Sequence, residues 1–271
     1  MLGDSIRFRS SEIGYAYNQG GDATLICFHG YGESKEAFYF LEPHLQGRYG
    51  MLCIDLPFHG ATIWNEGTDF SVDNLLEIIS MICARHFSSN ESLCLLGYSM
   101  GGRIALSLLP ALSQQAKKVV LIAPDGLKLN FWYWLSTQTF VGNRLFAFTM
   151  HHPGWFFALL KVGNALGLAN RSIVKFTRYY IHDNKVRGEL YDRWTCMRKF
   201  RPPLPFARKL IIENKIPLHL VYGRHDRIIR FERGEKFRRG IEPFCFIDIL
   251  DCGHQVLQQK NAAAISNLLQ S

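Results

Sequence analysis

Short apolar runs recur along this chain, separated by stretches of helical pattern. That rhythm constrains the fold more than any single motif does. "TLICFHG", "MLCIDL", "SLCLLG", "KKVVLIAP", "IPLHLVYG" and "FCFIDIL" are each no longer than one strand. Runs of that length without a polar alternation suit strands buried on both faces of a parallel sheet. Helices are expected near 35–46, 71–87, 100–112 and 256–269. Strands that alternate with helices in this way predict an α/β fold with a mostly parallel central sheet. Ahead of the first buried strand, expected at 24–29, "SIRFRSSEIGYAYNQ" reads as two short antiparallel strands.

The rhythm breaks once. From 126 to 215 the chain is helical in pattern, aromatic and basic, with no clear strand. The expected organisation is therefore a core formed by 1–125 and 216–271, interrupted by a helical insertion at 126–215. With 271 residues, 48% of them hydrophobic and 20% charged, the chain has ample material for one such domain. The first residues, "MLGDSIRFRSSEIG", contain no apolar signal region, and no stretch approaches the length of a membrane span. The seven cysteines sit mostly inside apolar runs and match no zinc or CxxC spacing. Reduced, buried thiols in a cytoplasmic protein are the expectation.

Within this frame "LLGYSMGGRIAL" (95–106) carries the chemistry. A strand that ends near Leu96 and a helix that begins near Met100 leave Ser99 on a very tight reversal. Neighbours two positions away must then be small, as Gly97 and Gly101 are, and Gly102 adds room. A serine hydroxyl needs a base, and the base needs an acid to orient it. Asp226, in "LHLVYGRHDRII", follows one late strand, and His254, in "FIDILDCGHQV", follows the last. Both positions belong to the carboxyl edge of the sheet, where Ser99 also lies. The backbone N–H groups of Tyr31, after "CFHG", and of Met100 are the expected oxyanion donors.

Taken together, "HGYG", "DLPFHG", "GYSMGG", "GRHDRII" and "DCGHQV" resemble the α/β-hydrolase superfamily over nearly the whole chain. The resemblance implies an α/β-hydrolase fold, a Ser99–His254–Asp226 triad, no metal and no organic cofactor. It also implies that 126–215 is a helical cap, or lid, that shapes the substrate pocket. Phe58 stands where members commonly carry glycine. A carboxylic ester with a small or medium acyl group is the default substrate. A carbon–carbon bond hydrolase, a thioesterase or lactonase, and a menaquinone-pathway enzyme that eliminates pyruvate share the triad and remain alternatives. So does a small-molecule binding protein on the same fold without catalysis.

Other residues have competing readings. Arg103 is a candidate partner for a substrate carboxylate or phosphate, against a structural ion pair. Trp132, Phe148 and Trp155 are candidate substrate contacts, although the cap aromatics at helical spacing are expected mostly to form the cap's own core. Asp125 is a rival acid, Asp248 and Asp251 are expected in turns or facing solvent, and Asp55 is expected in a structural turn. His29 and His59 are expected to pack beside the site, and His151–His152 lacks a third metal ligand. The net charge of +8 is unevenly placed, since 126–216 holds 15 Lys/Arg against four Asp/Glu. No nucleic-acid motif accompanies this excess. The expected partner is a small acyl substrate, with weak contact to an anionic membrane surface through the basic cap as a further expectation.

Overall fold

The structure, a computed structural model, describes residues 1–45, 47–87, 92–128, 130–165, 181 and 183–270. Its centre is an eight-stranded sheet, with β1 (Leu2–Phe8), β2 (Ser11–Asn18), β3 (Ala23–Phe28), β4 (Tyr49–Ile54), β5 (Ser92–Tyr98), β6 (Ala116–Ile122), β7 (Leu218–Gly223) and β8 (Cys245–Leu250). The spatial order is β1-β2-β4-β3-β5-β6-β7-β8. β2 runs antiparallel to both β1 and β4, and every other neighbouring pair is parallel.

This order places the site. From β3 the chain crosses to β4 on one side, then to β5 on the other, so the winding reverses between β3 and β5. Loops leaving the carboxyl ends of those two strands diverge and open a crevice. Residues 29–31 leave β3 there, and Ser99 leaves β5.

The strands are apolar on both faces because both are covered. Leu25 and Cys27, Met51 and Cys53, Cys94 and Leu96, and Val120 and Ile122 alternate onto one face. There they meet Phe38 and Leu41 of the 3-10 segment Lys35–His44, and Ile265 and Leu269 of the helix Ala262–Gln270. Helix α1 (Val72–His86) starts at a reciprocal cap between Ser71 and Asn74, and helix α2 (Met100–Leu112) buries nearly all of its residues. All seven cysteines are free, and six are buried.

The chain separates into two compact units. One comprises 1–66, 70–128 and 199–271, and the other comprises 67–69 and 129–198. The helix Leu204–Glu213 therefore groups with the sheet, inside the stretch expected to be insertion; Ala207, Leu210 and Ile211 are buried there. The final helix starts only at Ala262, after a 3-10 turn at Gln259–Asn261, later than its apolar pattern predicts.

The second unit contains α3 (Phe131–Gln138), α4 (Phe140–His151), α5 (Gly154–Ala165) and α6 (Asn184–Cys196), and no strand among its described residues. Asn130 caps α3 and Thr139 caps α4. The unit is held by aromatic and polar contacts. Phe146 packs on Tyr191 and Trp194, and Asn143 bonds Thr195 and accepts from Tyr191. Arg187 donates to the carbonyls of Met150 and Ile181. Here one expectation is corrected. Trp132, Phe140, Phe148 and Trp155 are exposed rather than in a cap core, while Trp134, Phe146, Phe156 and Phe157 are half-buried. Helical spacing reveals a stripe but not which stripe turns inward.

Candidate active site

Ser99 connects β5 directly to α2, with φ 50° and ψ −110°. For a residue with a side chain this conformation is strained. It is held because its amide donates to the Ile122 carbonyl at 2.9 Å, and its carbonyl accepts from Gly102 and Asp125 at 3.0 and 2.9 Å. The surrounding glycines are required by contact. A Cβ on Gly101 would lie 1.8 Å from the Phe28 carbonyl oxygen, and one on Gly97 would lie 2.4 Å from the Gly101 carbonyl oxygen. Strand β5, strand β3 and helix α2 thus approach more closely than any side chain permits.

His254, from the loop after β8, brings Nε2 to 3.3 Å from Ser99 Oγ. Its Nδ1 lies 2.7 Å from Asp226 Oδ2, where an ionised carboxylate requires Nδ1 to be the donor. Nε2 is then left as an acceptor for the serine proton. Asp226 has a fully buried side chain, and its other oxygen accepts the amides of Ile228 and Ile229 at 2.7 and 2.9 Å. Both carboxylate oxygens are therefore directed. The Tyr98 hydroxyl donates to the His254 carbonyl at 3.2 Å, tying the histidine loop to the end of β5. Burial pushes the Tyr98 phenol well above its ordinary range, so it stays a donor at neutral pH.

The loop after β3 is pinned from both sides. Glu33 accepts the Gly30 amide at 3.3 Å, while its own amide donates to the Gly30 carbonyl. His29, fully buried, accepts the Leu56 amide on Nε2 and donates from Nδ1 to the Gly30 carbonyl at 2.7 Å. Tyr31 follows this clamp, and Met100 begins α2, where the first amides have no helical partner. Burial raises the Glu33 carboxyl above the ordinary glutamate value, against the smaller pulls of the Gly30 amide and His254.

The remaining candidates fall outside this relay. Asp125 pairs with the buried Arg103 at 3.5 Å, which gives Arg103 the ion-pair partner that its structural reading called for. Asp55 is buried against Lys35 at 2.6 Å and accepts the Lys35 and Ala61 amides. Asp248 meets His219, and Asp251 meets His225. Phe58 has φ 63°, the backbone that glycine adopts freely. No group of three or more His, Cys, Asp or Glu able to hold a metal occurs among the described residues. Sequence reasoning missed Glu33 and Tyr98. The only signal for Glu33 was an acid two residues beyond the expected oxyanion donor.

The chain matches the family model for the alpha/beta hydrolase fold over residues 23–257. It is similar to the uncharacterized hydrolase YugF of Bacillus subtilis (strain 168), 25% identical over 253 residues that span 90% of this chain and 88% of that protein. It is also similar to the monoacylglycerol lipase ABHD6 of Homo sapiens, 20% identical over 258 residues, spanning 89% and 72%. Among solved structures, an esterase from Thermogutta terrifontis superposes with a TM-score of 0.69 at 15% identity, over 100% of this chain and 98% of that one. That last likeness is one of fold.

Proposed function

We propose that this chain, which belongs to the alpha/beta hydrolase fold family, is a serine hydrolase that cleaves a carboxylic ester through an acyl-enzyme on Ser99. The observation that carries the reading is the relay in which Ser99 Oγ meets His254 Nε2 and His254 Nδ1 meets a doubly directed Asp226. His254 takes the proton as Ser99 Oγ attacks the carbonyl carbon. Asp226 stays ionised and stabilises the imidazolium. The amides of Tyr31 and Met100 receive the oxyanion, each contributing about 3 kcal/mol of barrier lowering by the usual magnitude for such donors. As the tetrahedral adduct collapses, His254 protonates the departing alkoxide. Water then releases the acid by the same steps in reverse, and the serine regains its proton.

An ester of a small or medium acyl chain is the substrate class. The similarity to the monoacylglycerol lipase, which acts as its own name states, supports an ester. The test is labelling with a fluorophosphonate, followed by peptide mass spectrometry and a p-nitrophenyl ester chain-length series. An adduct on Ser99 that Ser99→Ala and His254→Ala both abolish, with turnover of at least one ester, is the expected result. A folded protein that is neither labelled nor active on any ester would overturn it in favour of a binding protein.

A further inference from the structure

Two helices of the second unit present their apolar stripes to solvent. On α4, Phe140, Val141, Leu145 and Phe148 are between 51% and 75% exposed. Their spacing is that of one helical face, and Arg144 shares it. The opposite side of the same helix is occupied by the buried Thr149 and Met150 and by Asn143 and Phe146, which meet α6. On α5, Trp155, Leu159 and Val162 are between 40% and 59% exposed at intervals of four and three, and the helix's one cation, Lys161, is exposed about 120° around the helix from that stripe. Amphipathic helices of a water-facing domain ordinarily turn their charged face outward. Here the outward faces are apolar.

Along this part of the sequence the charge has one sign. Between 126 and 182 the sequence contains six Lys or Arg and no Asp or Glu. Arg144 lies 4.8 Å from the centre of the Phe140 ring, so that cation sits over the aromatic surface. Exposed aromatic and branched side chains interspersed with cations form the pattern of a helix that lies in a bilayer interface. α4 and α5 have 12 residues each, and no described helix is long and apolar enough to cross a membrane. The contact is therefore a surface one.

We propose that α4 and α5 dock onto an anionic phospholipid surface, inserting their exposed apolar stripes among the acyl chains while Arg144 and Lys161 meet the headgroups. A second copy of the chain is a poorer occupant. A two-fold contact through these stripes would bring like cations together, with no carboxylate from this stretch to pair them. The inference does not depend on the chemistry at Ser99.

The test is sedimentation of the full chain with vesicles of phosphatidylcholine alone and of phosphatidylcholine with phosphatidylglycerol. It is run on Ser99→Ala protein, so that catalysis plays no part. The expected result is stronger partitioning onto the anionic vesicles. Each cation near such a surface is worth roughly a fivefold change in partitioning, so Arg144→Gln/Lys161→Gln should lower binding to anionic vesicles by about 25-fold. That pair should leave neutral vesicles unaffected. Leu145→Gln/Leu159→Gln should weaken both. Circular dichroism melts matching the parent would show that each variant folds. Absent vesicle binding by the parent, binding by both variants undiminished from the parent's, or a stable dimer in sedimentation velocity that these substitutions dissociate would each overturn the proposal.

Discussion

Glu33 is the residue where the site and the fold pull against each other. Its carboxylate clamps the Gly30 amide, yet burial favours its protonated form. The native state thus holds this proton more tightly than the unfolded chain does. The resulting stabilisation is complete below the ordinary glutamate value of 4.5 and is lost as pH rises through the higher native value. Glu33→Gln keeps an acceptor for Gly30 and removes the charge. Its melting temperature should exceed the parent's at pH 7, and the two should converge below about pH 4. A variant that is less stable at pH 7 and converges with the parent at low pH would mean that the charged hydrogen bond outweighs the burial. At this scale the relay was legible before the structure. Ser99, Asp226 and His254 each follow a strand, and the structure brings their side chains together. Glu33 and Tyr98 were not legible, because their partners exist only once the loops after β3 and β8 have closed.

Among the elements, the helix Ala262–Gln270 shows how a chain end is secured. Its last carbonyls, which no helical amide can reach, are taken by side chains from elsewhere. Lys118 Nζ, from β6, donates to Leu268 and Leu269 at 3.1 and 3.2 Å. The Tyr49 hydroxyl donates to Leu269, and Arg48 to Gln270. Burial holds the Lys118 ammonium below its usual value. Lys118→Met keeps the stem and deletes the donor, and should cost about 1.5–3 kcal/mol, the range for hydrogen bonds to charged groups. Urea unfolding with an unchanged denaturant slope is the measurement. "KKVVLIAP" identifies β6 readily, but nothing in it reveals that the helix it caps lies 150 residues further on. Strand periodicity is local, whereas this contact is not.

For the whole molecule, charge is the property that acts at a distance. The chain carries +8 overall, and residues outside 126–216 hold 16 Lys/Arg against 19 Asp/Glu, so the excess belongs to one segment. A field of that sign favours encounter with anions and is screened by salt. For an ester bearing a carboxylate, kcat/KM should fall roughly threefold or more between low and physiological ionic strength. A neutral ester of equal size should change by less than about twofold. Equal salt responses for the two would remove steering from the account. The sheet was legible at this scale because buried parallel strands leave unbroken apolar runs. The inner boundary of the insertion was not, because the helix Leu204–Glu213 is amphipathic in the same manner whichever unit it joins.

The backbone of Ser99 has one more consequence. Its φ and ψ are the mirror image of an ordinary extended conformation, which glycine adopts without penalty. Ser99→Gly would relieve about 1–3 kcal/mol of strain, offset by roughly 0.4–1 kcal/mol of added freedom in the unfolded chain. Heat-tolerance screening with no readout of turnover would therefore enrich glycine at 99. If Ser99 is the proposed nucleophile, any library selected on melting temperature alone would drift toward inert proteins at that position.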